Sequence, residues 1–253
     1  MKEKVAIITG ASSGIGRATA LHFVEKGGNV MALGRNEKKL TSLLDEAKEK
    51  NGTVKTQLAD INQFSNVERV IFETIDKFGQ IDVLINAAGI ILNGTIENTS
   101  LDDWDKMMNI NLRSLFFLTQ KCVPHLEKTK GNIVNVSSVA GLRSFPNVLA
   151  YCVSKAALDQ LTRCSALELA PKGIRVNAVN PGVVVTSLHK RGGMSDEDYE
   201  QFLKNSEKTH PLGRVGAPEE VAELIYFLAS EKAAWITGAT YEIDGGRAQT
   251  CAR

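Results

Sequence analysis

The feature that most constrains the fold is a short apolar run near the N-terminus that passes directly into a glycine-rich turn. Residues 5–8 are Val-Ala-Ile-Ile, which is typical of a strand buried on both faces. Residues 9–16 follow with the spacing Gly-x-x-x-Gly-x-Gly and lead into a helix-forming segment. Glycines there let the backbone approach a pyrophosphate, whose charge the free N–H groups of a helix N-terminus stabilise. An ordinary glycine turn is the alternative, but the flanking strand and helix favour a dinucleotide site.

The same alternation of strand and helix continues along the chain. Beyond residues 5–8, strands are predicted at residues 29–34, 53–58, 81–86, 131–137, 174–179 and 239–243. Besides the helix after the glycine-rich turn, helices are predicted at residues 37–50, 64–78, 103–128, 150–170 and 218–230. This order predicts an α/β fold, a doubly wound, Rossmann-like parallel sheet of about seven strands with helices on both faces. Because no linker or repeat interrupts it, we expect one domain over residues 1–253.

Composition narrows the functional classes. The 253 residues are 43% hydrophobic and 23% charged, with a net charge of +1, which argues against disorder and against a nucleic-acid or anionic membrane partner. The N-terminus enters the first strand at once, and no apolar run is long enough to span a bilayer, so we expect no leader peptide and a cytoplasmic location. The cysteines show no ligand spacing, so we expect buried free thiols and no metal site. They are Cys122, Cys152, Cys164 and Cys251.

A tyrosine and a lysine stand four residues apart in Tyr151-Cys152-Val153-Ser154-Lys155. In a helix both side chains leave the same face, one turn apart. A free phenol has a pKa near 10, and a neighbouring cation that lowers this pKa by ~3 units must supply ~4 kcal/mol. We therefore expect Lys155 to lower the pKa of Tyr151. Taken alone, such a pair is usually a packed ring beside a solvated lysine.

The end of the second predicted strand bears on the choice of cofactor. An enzyme that prefers NAD places a carboxylate there for the ribose 2′-hydroxyl, whereas this chain has Gly34. Arg35 supplies a planar cation suited to a 2′-phosphate, and Asn36 a second donor. We expect NADPH to be preferred to NADH. A solvated arginine at the start of a loop is the alternative.

Taken together, these segments resemble the classical short-chain dehydrogenase/reductase family over essentially the whole chain. The branch includes 3-oxoacyl-carrier-protein reductases and animal carbonyl and steroid reductases. The matching segments are residues 9–16, Asp60, residues 86–89, Asn111, Ser138, residues 151–155, residues 180–182, Thr186 and residues 244–246. Ala87 departs from the pattern, because the family usually has a second asparagine there.

The resemblance implies roles for four residues in the reaction. Ser138 would hydrogen-bond the substrate oxygen, and Tyr151 would exchange a proton with it. Lys155 would stabilise the phenolate and bind the nicotinamide ribose, and Asn111 would hold a water in the proton relay. Singly, Ser138 could simply end a strand and Asn111 could be a satisfied polar group in a helix. Their joint occurrence at the family's positions favours the catalytic interpretation.

The resemblance also implies a set of cofactor contacts. Asp60 would accept a hydrogen bond from the adenine amino group, and Thr186 would contact the nicotinamide carboxamide. The predicted cofactor-binding residues are Gly10, Ser12, Ser13, Gly14, Ile15, Gly16, Arg35, Asn36, Asp60, Ile61, Asn86, Ala87, Gly89, Tyr151, Lys155, Pro181, Gly182, Val184 and Thr186.

Residues 187–215 are predicted to form a lid over the substrate, because loops after strand ends carry specificity on a rigid scaffold. The apolar residues expected at the pocket are Leu142, Phe145, Val148, Val183, Leu188, Met194, Tyr199 and Phe202. They would suit a bulky ketone such as a steroid or ecdysteroid 3-ketone, reduced to a secondary alcohol. Two alternatives stay open, a 3-oxoacyl thioester reductase and a non-catalytic NADP-binding sensor or scaffold. The resemblance further implies a homotetramer acting on a small carbonyl or alcohol.

Overall fold

The computed structural model describes residues 3–250, which build one sheet of seven parallel strands. The strands are β1 (Val5–Ile8), β2 (Asn29–Gly34), β3 (Val54–Leu58), β4 (Val83–Asn86), β5 (Asn132–Val136), β6 (Arg175–Pro181) and β7 (Thr240–Ile243). Their order across the sheet is β3-β2-β1-β4-β5-β6-β7. The predicted Rossmann-like fold class is confirmed.

Helices cover both faces of the sheet. They are α1 (Gly14–Glu25), α2 (Glu37–Ala47), α3 (Phe64–Phe78), α4 (Leu101–Met108), α5 (Ser114–Thr129), α6 (Leu149–Leu169), α7 (Leu188–Arg191), α8 (Asp196–Thr209) and α9 (Pro218–Ala229). One apolar core joins α1, α2 and α9 to the sheet, and a second joins α3 and α5 to the opposite face. No helix within residues 3–250 is long and apolar enough to cross a bilayer.

The strand order places a crevice at the carboxyl ends of the central strands. β1 pairs with β2 on one side and with β4 on the other, so successive connections leave β1 in opposite directions. In open parallel sheets this switch point is where ligands bind. The glycine-rich turn, which follows β1, lies there.

The helix predicted at residues 103–128 is broken, which corrects that prediction. α4 ends at Met108, and a π-helical turn, Asn109–Arg113, joins it to α5. The N–H of Ser114 donates to the carbonyl of Asn109, five residues earlier. A π turn inserts one extra residue into a helix, and such turns are frequent at functional sites. The apolar pattern could not reveal it, because both halves are helical.

The cysteines differ in exposure, contrary to the expectation that all are buried. Cys122 is buried, Cys152 is half-buried and Cys164 is exposed, and all three are free thiols. Cys251 lies outside the described residues.

Side-chain hydrogen bonds tie the middle of the sheet to α6. The amide of Asn86 donates to the side-chain carbonyl of Asn135 at 2.9 Å, and the amide of Asn135 donates to the hydroxyl of Thr162 at 2.8 Å. All three residues are buried. Removing the middle member leaves polar groups of its neighbours without these partners, at a cost of about 1–3 kcal/mol for a buried group.

We therefore expect Asn135→Ala to lower the free energy of unfolding by about 1–3 kcal/mol. The measurement is urea unfolding followed by circular dichroism at a fixed protein concentration. The control is Asn205→Ala at an exposed position of α8, where the expected change is within about 0.5 kcal/mol. Equal effects of the two variants would contradict the role given to Asn135.

Candidate active site

A cleft of about 1400 Å³ opens at the carboxyl ends of the central strands. All the residues predicted to bind the cofactor line it, except Asn86. Of the predicted catalytic residues, three line the cleft: Ser138, Tyr151 and Lys155. The fourth, Asn111, is buried and does not line it. The chain fold thus brings most of the predicted site residues into one space.

The glycine-rich turn fits a pyrophosphate. A Cβ on Gly10 would lie 2.8 Å from the carbonyl oxygen of Ala87, and one on Gly16 would lie 2.6 Å from that of Gly10, so neither position accepts a side chain. Ser13, the N-cap residue of α1, makes no side-chain hydrogen bond to the helix. The first N–H groups of α1 therefore keep their capacity to bind an anion.

Thr9 joins this turn to the loop after β4. Its hydroxyl oxygen accepts hydrogen bonds from the backbone N–H groups of Ala87 and Ala88, at 3.0 and 2.9 Å. Sequence reasoning gave Thr9 no role of its own. The contact fixes the distance between the two backbone segments that form one end of the cleft.

The end of the cleft beside β2, where the adenosine of a cofactor is predicted to bind, is lined by cations. A Cβ on Gly34 would lie 2.9 Å from the Cβ of Ser12, so the glycine permits close approach of β2 to the turn. Arg35 and Lys39 both line this end. Asn36 has a structural task as well, since its side-chain oxygen accepts a hydrogen bond from the N–H of Lys39 at 3.0 Å and caps α2.

Asp60 lines the same part of the cleft. One oxygen of its carboxylate accepts hydrogen bonds from the backbone N–H and the side-chain amide of Asn62, both at 3.0 Å. These contacts fix the orientation of the carboxylate and leave its other oxygen to accept a hydrogen bond from a ligand.

The ammonium group of Lys155 is buried and anchored at the end of β5. Its Nζ donates a hydrogen bond to the carbonyl of Val136 at 2.8 Å and lies 5.7 Å from the centre of the Tyr151 ring. Burial lowers the pKa of Lys155 to about 8, although Asp159, one turn further along α6, opposes the shift. Lys155 thus keeps its charge at neutral pH and loses it in mild base.

Tyr151 differs from the sequence expectation. Burial raises the pKa of its phenol to about 12, and the hydroxyl of Ser138 only partly offsets this effect. The predicted net lowering of the Tyr151 pKa is wrong for this structure, because desolvation of the phenolate is the largest influence on this pKa and raises it. Tyr151 is therefore a proton-bearing phenol at neutral pH.

Ser138 is held from two sides. Its side-chain oxygen accepts a hydrogen bond from the N–H of Ala140 at 3.1 Å, which leaves the hydroxyl proton free to be donated. Its backbone carbonyl accepts a hydrogen bond from the amide of Asn180 at 3.0 Å, and the same amide donates to Asp159 at 2.9 Å. The contacts link the serine to both β6 and α6.

The side chain of Asn111 clamps the wall of the cleft. Its oxygen accepts a hydrogen bond from the N–H of Ile90, and its amide donates to the carbonyl of Ile90, both at 2.9 Å. The amide also donates to the hydroxyl of Ser154 at 3.0 Å. These contacts position the loop after β4, and the water-holding role stays a prediction.

Asn86 does not line the cleft, contrary to its predicted cofactor contact. Its side chain lies within the sheet, where its amide donates to Asn135 and, at 3.2 Å, to the hydroxyl of Thr119. Neighbouring residues 87–89 line the cleft instead. The sequence alone does not show whether the side chain of the last residue of β4 points into the sheet contacts or into the cleft.

Two side chains anchor the segment predicted as a lid to the loop after β6. The hydroxyl of Tyr199 donates to the carbonyl of Thr186 at 2.8 Å and accepts from its N–H at 3.1 Å. His210 accepts from the N–H of Val183 at 3.1 Å through Nε2 and bonds the carbonyl of Ser206 through Nδ1 at 2.6 Å. Burial lowers the pKa of His210, which favours the neutral ring that this pattern requires.

Tyr199 therefore anchors the lid and, like Leu142, does not line the cleft, which corrects both predictions. The other predicted pocket residues do line it. Sequence reasoning missed Ile91 and Arg247, which also line the cleft. Ile91 lies in no motif, and Arg247 directly follows the segment 244–246 without belonging to it.

Comparison with known proteins agrees with this geometry. A family model described as enoyl-(acyl carrier protein) reductase matches residues 10–248. The chain is 40% identical over 247 residues to the 3-oxoacyl-acyl-carrier-protein reductase FabG of Thermotoga maritima, covering 97% of this chain and 98% of that protein. It is 37% identical over 260 residues to a 3β-hydroxysteroid dehydrogenase of Mediterraneibacter gnavus, covering 96% and 94%.

A solved structure extends the likeness to the fold. The crystal structure of a short-chain dehydrogenase/reductase of unknown function from Caenorhabditis elegans, with cofactor, has a TM-score of 0.94 and 37% identity, covering 99% of this chain and 97% of that one. Sequence, fold and cleft agree. The chain belongs to the short-chain dehydrogenase/reductase family and is an NAD(P)-dependent oxidoreductase.

Proposed function

We propose that this enzyme uses NADPH to reduce a hydrophobic ketone to a secondary alcohol. The observation that carries the proposal is the juxtaposition, in one cleft, of a phenol that keeps its proton and a buried ammonium group. A phenol that carries its proton at neutral pH can act as the proton donor of a reduction. The presence of Ser138 beside this pair argues against a non-catalytic sensor.

In the proposed reaction, reduced nicotinamide, when bound, supplies the hydride. Ser138 donates its free hydroxyl proton in a hydrogen bond to the substrate carbonyl oxygen. Tyr151 transfers its proton to that oxygen as the alcohol forms. The Lys155 ammonium, held by the carbonyl of Val136, stabilises the phenolate left behind.

The cofactor preference rests on the adenosine end of the cleft. Gly34 offers no carboxylate to a ribose 2′-hydroxyl, and Arg35 and Lys39 supply positive charge where a 2′-phosphate would lie. A planar guanidinium binds phosphate through paired, charge-assisted hydrogen bonds. These features support NADPH.

The substrate end of the cleft supports a bulky apolar substrate. Tyr151 belongs to an apolar cluster with Ile91, Met107, Phe145 and Leu188. Residues 187–215 form the proposed lid. A steroid or ecdysteroid 3-ketone fits this chemistry, and a relative is named a 3β-hydroxysteroid dehydrogenase.

The second candidate, a 3-oxoacyl thioester, is favoured by the 40% identity to the Thermotoga maritima reductase. The homotetramer and the cytoplasmic location stay predictions.

We expect Tyr151→Phe to lower kcat for NADPH-dependent ketone reduction by ~100- to 10,000-fold, because it removes the proton donor and keeps the ring. The assay follows NADPH absorbance with a panel of steroid ketones, aromatic diketones and acetoacetyl thioesters. Tyr226→Phe, on α9 and outside the cleft, is the matched control and should turn over normally. Unchanged turnover of Tyr151→Phe would refute the assigned role.

We expect the rate of reduction to be steady at neutral pH and to fall above a pH of about 8, the pKa of Lys155. The sign follows from the lowered lysine pKa, because the ammonium is present below this value and lost above it. Tyr151, with a pKa of about 12, keeps its proton across the range. The measurement is kcat/KM from pH 6 to 10. A flat profile through pH 10 would contradict the need for a charged Lys155.

We expect Arg35→Gln to raise the Kd for NADPH ~10- to 100-fold, as loss of a charge-assisted hydrogen bond of ~1.5–3 kcal/mol implies. The Kd for NADH should change less than ~2-fold, because NADH has no 2′-phosphate. Both are measured by quenching of protein fluorescence. Lys38→Gln, an adjacent exposed cation outside the cleft, is the control. Equal weakening of both cofactors would count against a 2′-phosphate contact.

A further inference from the structure

Arg247 places a cation at the substrate end of the cleft. It follows β7 in a short 3-10 turn, Arg247–Gln249, and its guanidinium carbon lies 4.8 Å from the centre of the Phe145 ring. Both residues line the cleft. Tyr151 and Phe145 share one apolar cluster, so the cation stands in the part of the cleft that holds the proton donor.

No carboxylate neutralises this cation within residues 3–250. The guanidinium makes no hydrogen bond or ion pair there. The nearby carboxylate of Asp244 is already committed, because one oxygen accepts from the N–H of Gly246 at 2.9 Å and the other from the N–H of Ala248. Asp244 thus acts on Arg247 only as a neighbouring charge.

The other titratable groups that face Arg247 are histidines of the lid. Burial lowers the pKa of His189 and of His210, and the charge of Arg247 lowers both further. Both rings are therefore neutral at neutral pH. The neutral rings add no charge of their own, and Arg247 remains a half-buried cation beside apolar and aromatic side chains.

A partly desolvated cation without a paired carboxylate favours binding of an anion, because charge-assisted hydrogen bonds strengthen as water is excluded. Arg35 lies at the other end of the cleft, where the cofactor adenosine is proposed, and Arg191 of the lid is near enough to Arg35 for the two charges to affect each other. Arg247 lies instead beside Phe145, so we assign a ligand anion at Arg247 to the substrate.

We propose that Arg247 recognises an anionic group, a carboxylate, phosphate or sulfate, on a hydrophobic ketone whose carbonyl meets Tyr151. The inference rests on the proposed function for the identity of the ketone, but not for the anion site. It makes Arg247 a residue that determines specificity, and the cation–π contact with the Phe145 ring holds its guanidinium in place.

The test measures equilibrium binding, so that it does not depend on turnover. A steroid 3-ketone with a side-chain carboxylate, 3-oxocholanoic acid, and its methyl ester are titrated by calorimetry into the enzyme with saturating NADP⁺. We expect the acid to bind at least ~10-fold more tightly, equivalent to ~1.4 kcal/mol. Octyl phosphate and octyl sulfate, as competitors, distinguish which anion is preferred.

Arg247→Gln should abolish the preference for the acid and change the Kd of the ester less than ~2-fold. Arg247→Lys should keep part of the preference for the acid, because lysine retains the positive charge. The control, Arg143→Gln, removes an exposed arginine outside the cleft and should keep the full preference. Equal weakening of acid and ester in Arg247→Gln would overturn the proposal and leave Arg247 as a packing partner of Phe145. Equal binding of acid and ester to the unaltered enzyme, or no binding of either, would also overturn it.

The two proposals fail separately. If the enzyme binds the acid through Arg247 but reduces no ketone with NADPH, the proposed reduction fails and the anion site stands. If it reduces the acid and the ester equally well, with equal Kd values, the reduction stands and the anion site fails. Tyr151→Phe should lose turnover and keep the preference in binding.

Discussion

A buried ammonium group sets the main constraint on this structure. Lys155 is almost fully buried, and removing a charge from water costs several kcal/mol unless polar groups compensate it. The carbonyl of Val136 accepts one of its hydrogen bonds, and Asp159 supplies opposite charge one turn away. Asp159 in turn accepts from Asn180, which also bonds the backbone of Ser138. Two strands and α6 are therefore fixed by the same groups that prepare the site.

The hydrogen-bonded network around Lys155 lies between two ends of the cleft that differ in charge and polarity. The glycine-rich turn presents backbone N–H groups, and Arg35 supplies positive charge near it. The opposite end is largely apolar, and Arg247 places a cation there. Tyr151 and Lys155 lie between the two ends, and burial favours the neutral form of each side chain. The pKa of the phenol is therefore raised and that of the ammonium group is lowered. The phenol is made a weaker acid and the ammonium a stronger one.

The sequence predicts well where local chemistry is decisive. Continuous apolar runs mark the buried strands, and glycines mark a turn that accepts no Cβ, so the fold class and the position of the glycine-rich turn in the cleft followed from residues 5–16 and from the alternation after them. The family resemblance supplied the residues in distant loops, such as Asp60 and Thr186, that periodicity could not connect.

Features that depend on three-dimensional surroundings did not follow from the sequence. The pKa of Tyr151 depends mainly on its burial, which raises it. The side chain of Asn86 turns into the sheet, and the hydroxyl of Tyr199 anchors a backbone segment, because partners far along the chain lie there. Arg247 follows a recognisable motif but became informative only when the fold placed it against Phe145.

The π-helical turn between α4 and α5 has a consequence for how this region can vary. Each residue of an α-helix advances by about 100°, so one additional residue sets the rotational phase of α4 independently of α5. That offset allows Asn111 to face Ile90 while Leu115 packs in the core. Deleting one residue from Asn109–Arg113 would restore regular helix locally and turn one half against the other. The segment is thus more sensitive to changes in length than to most exchanges of side chain.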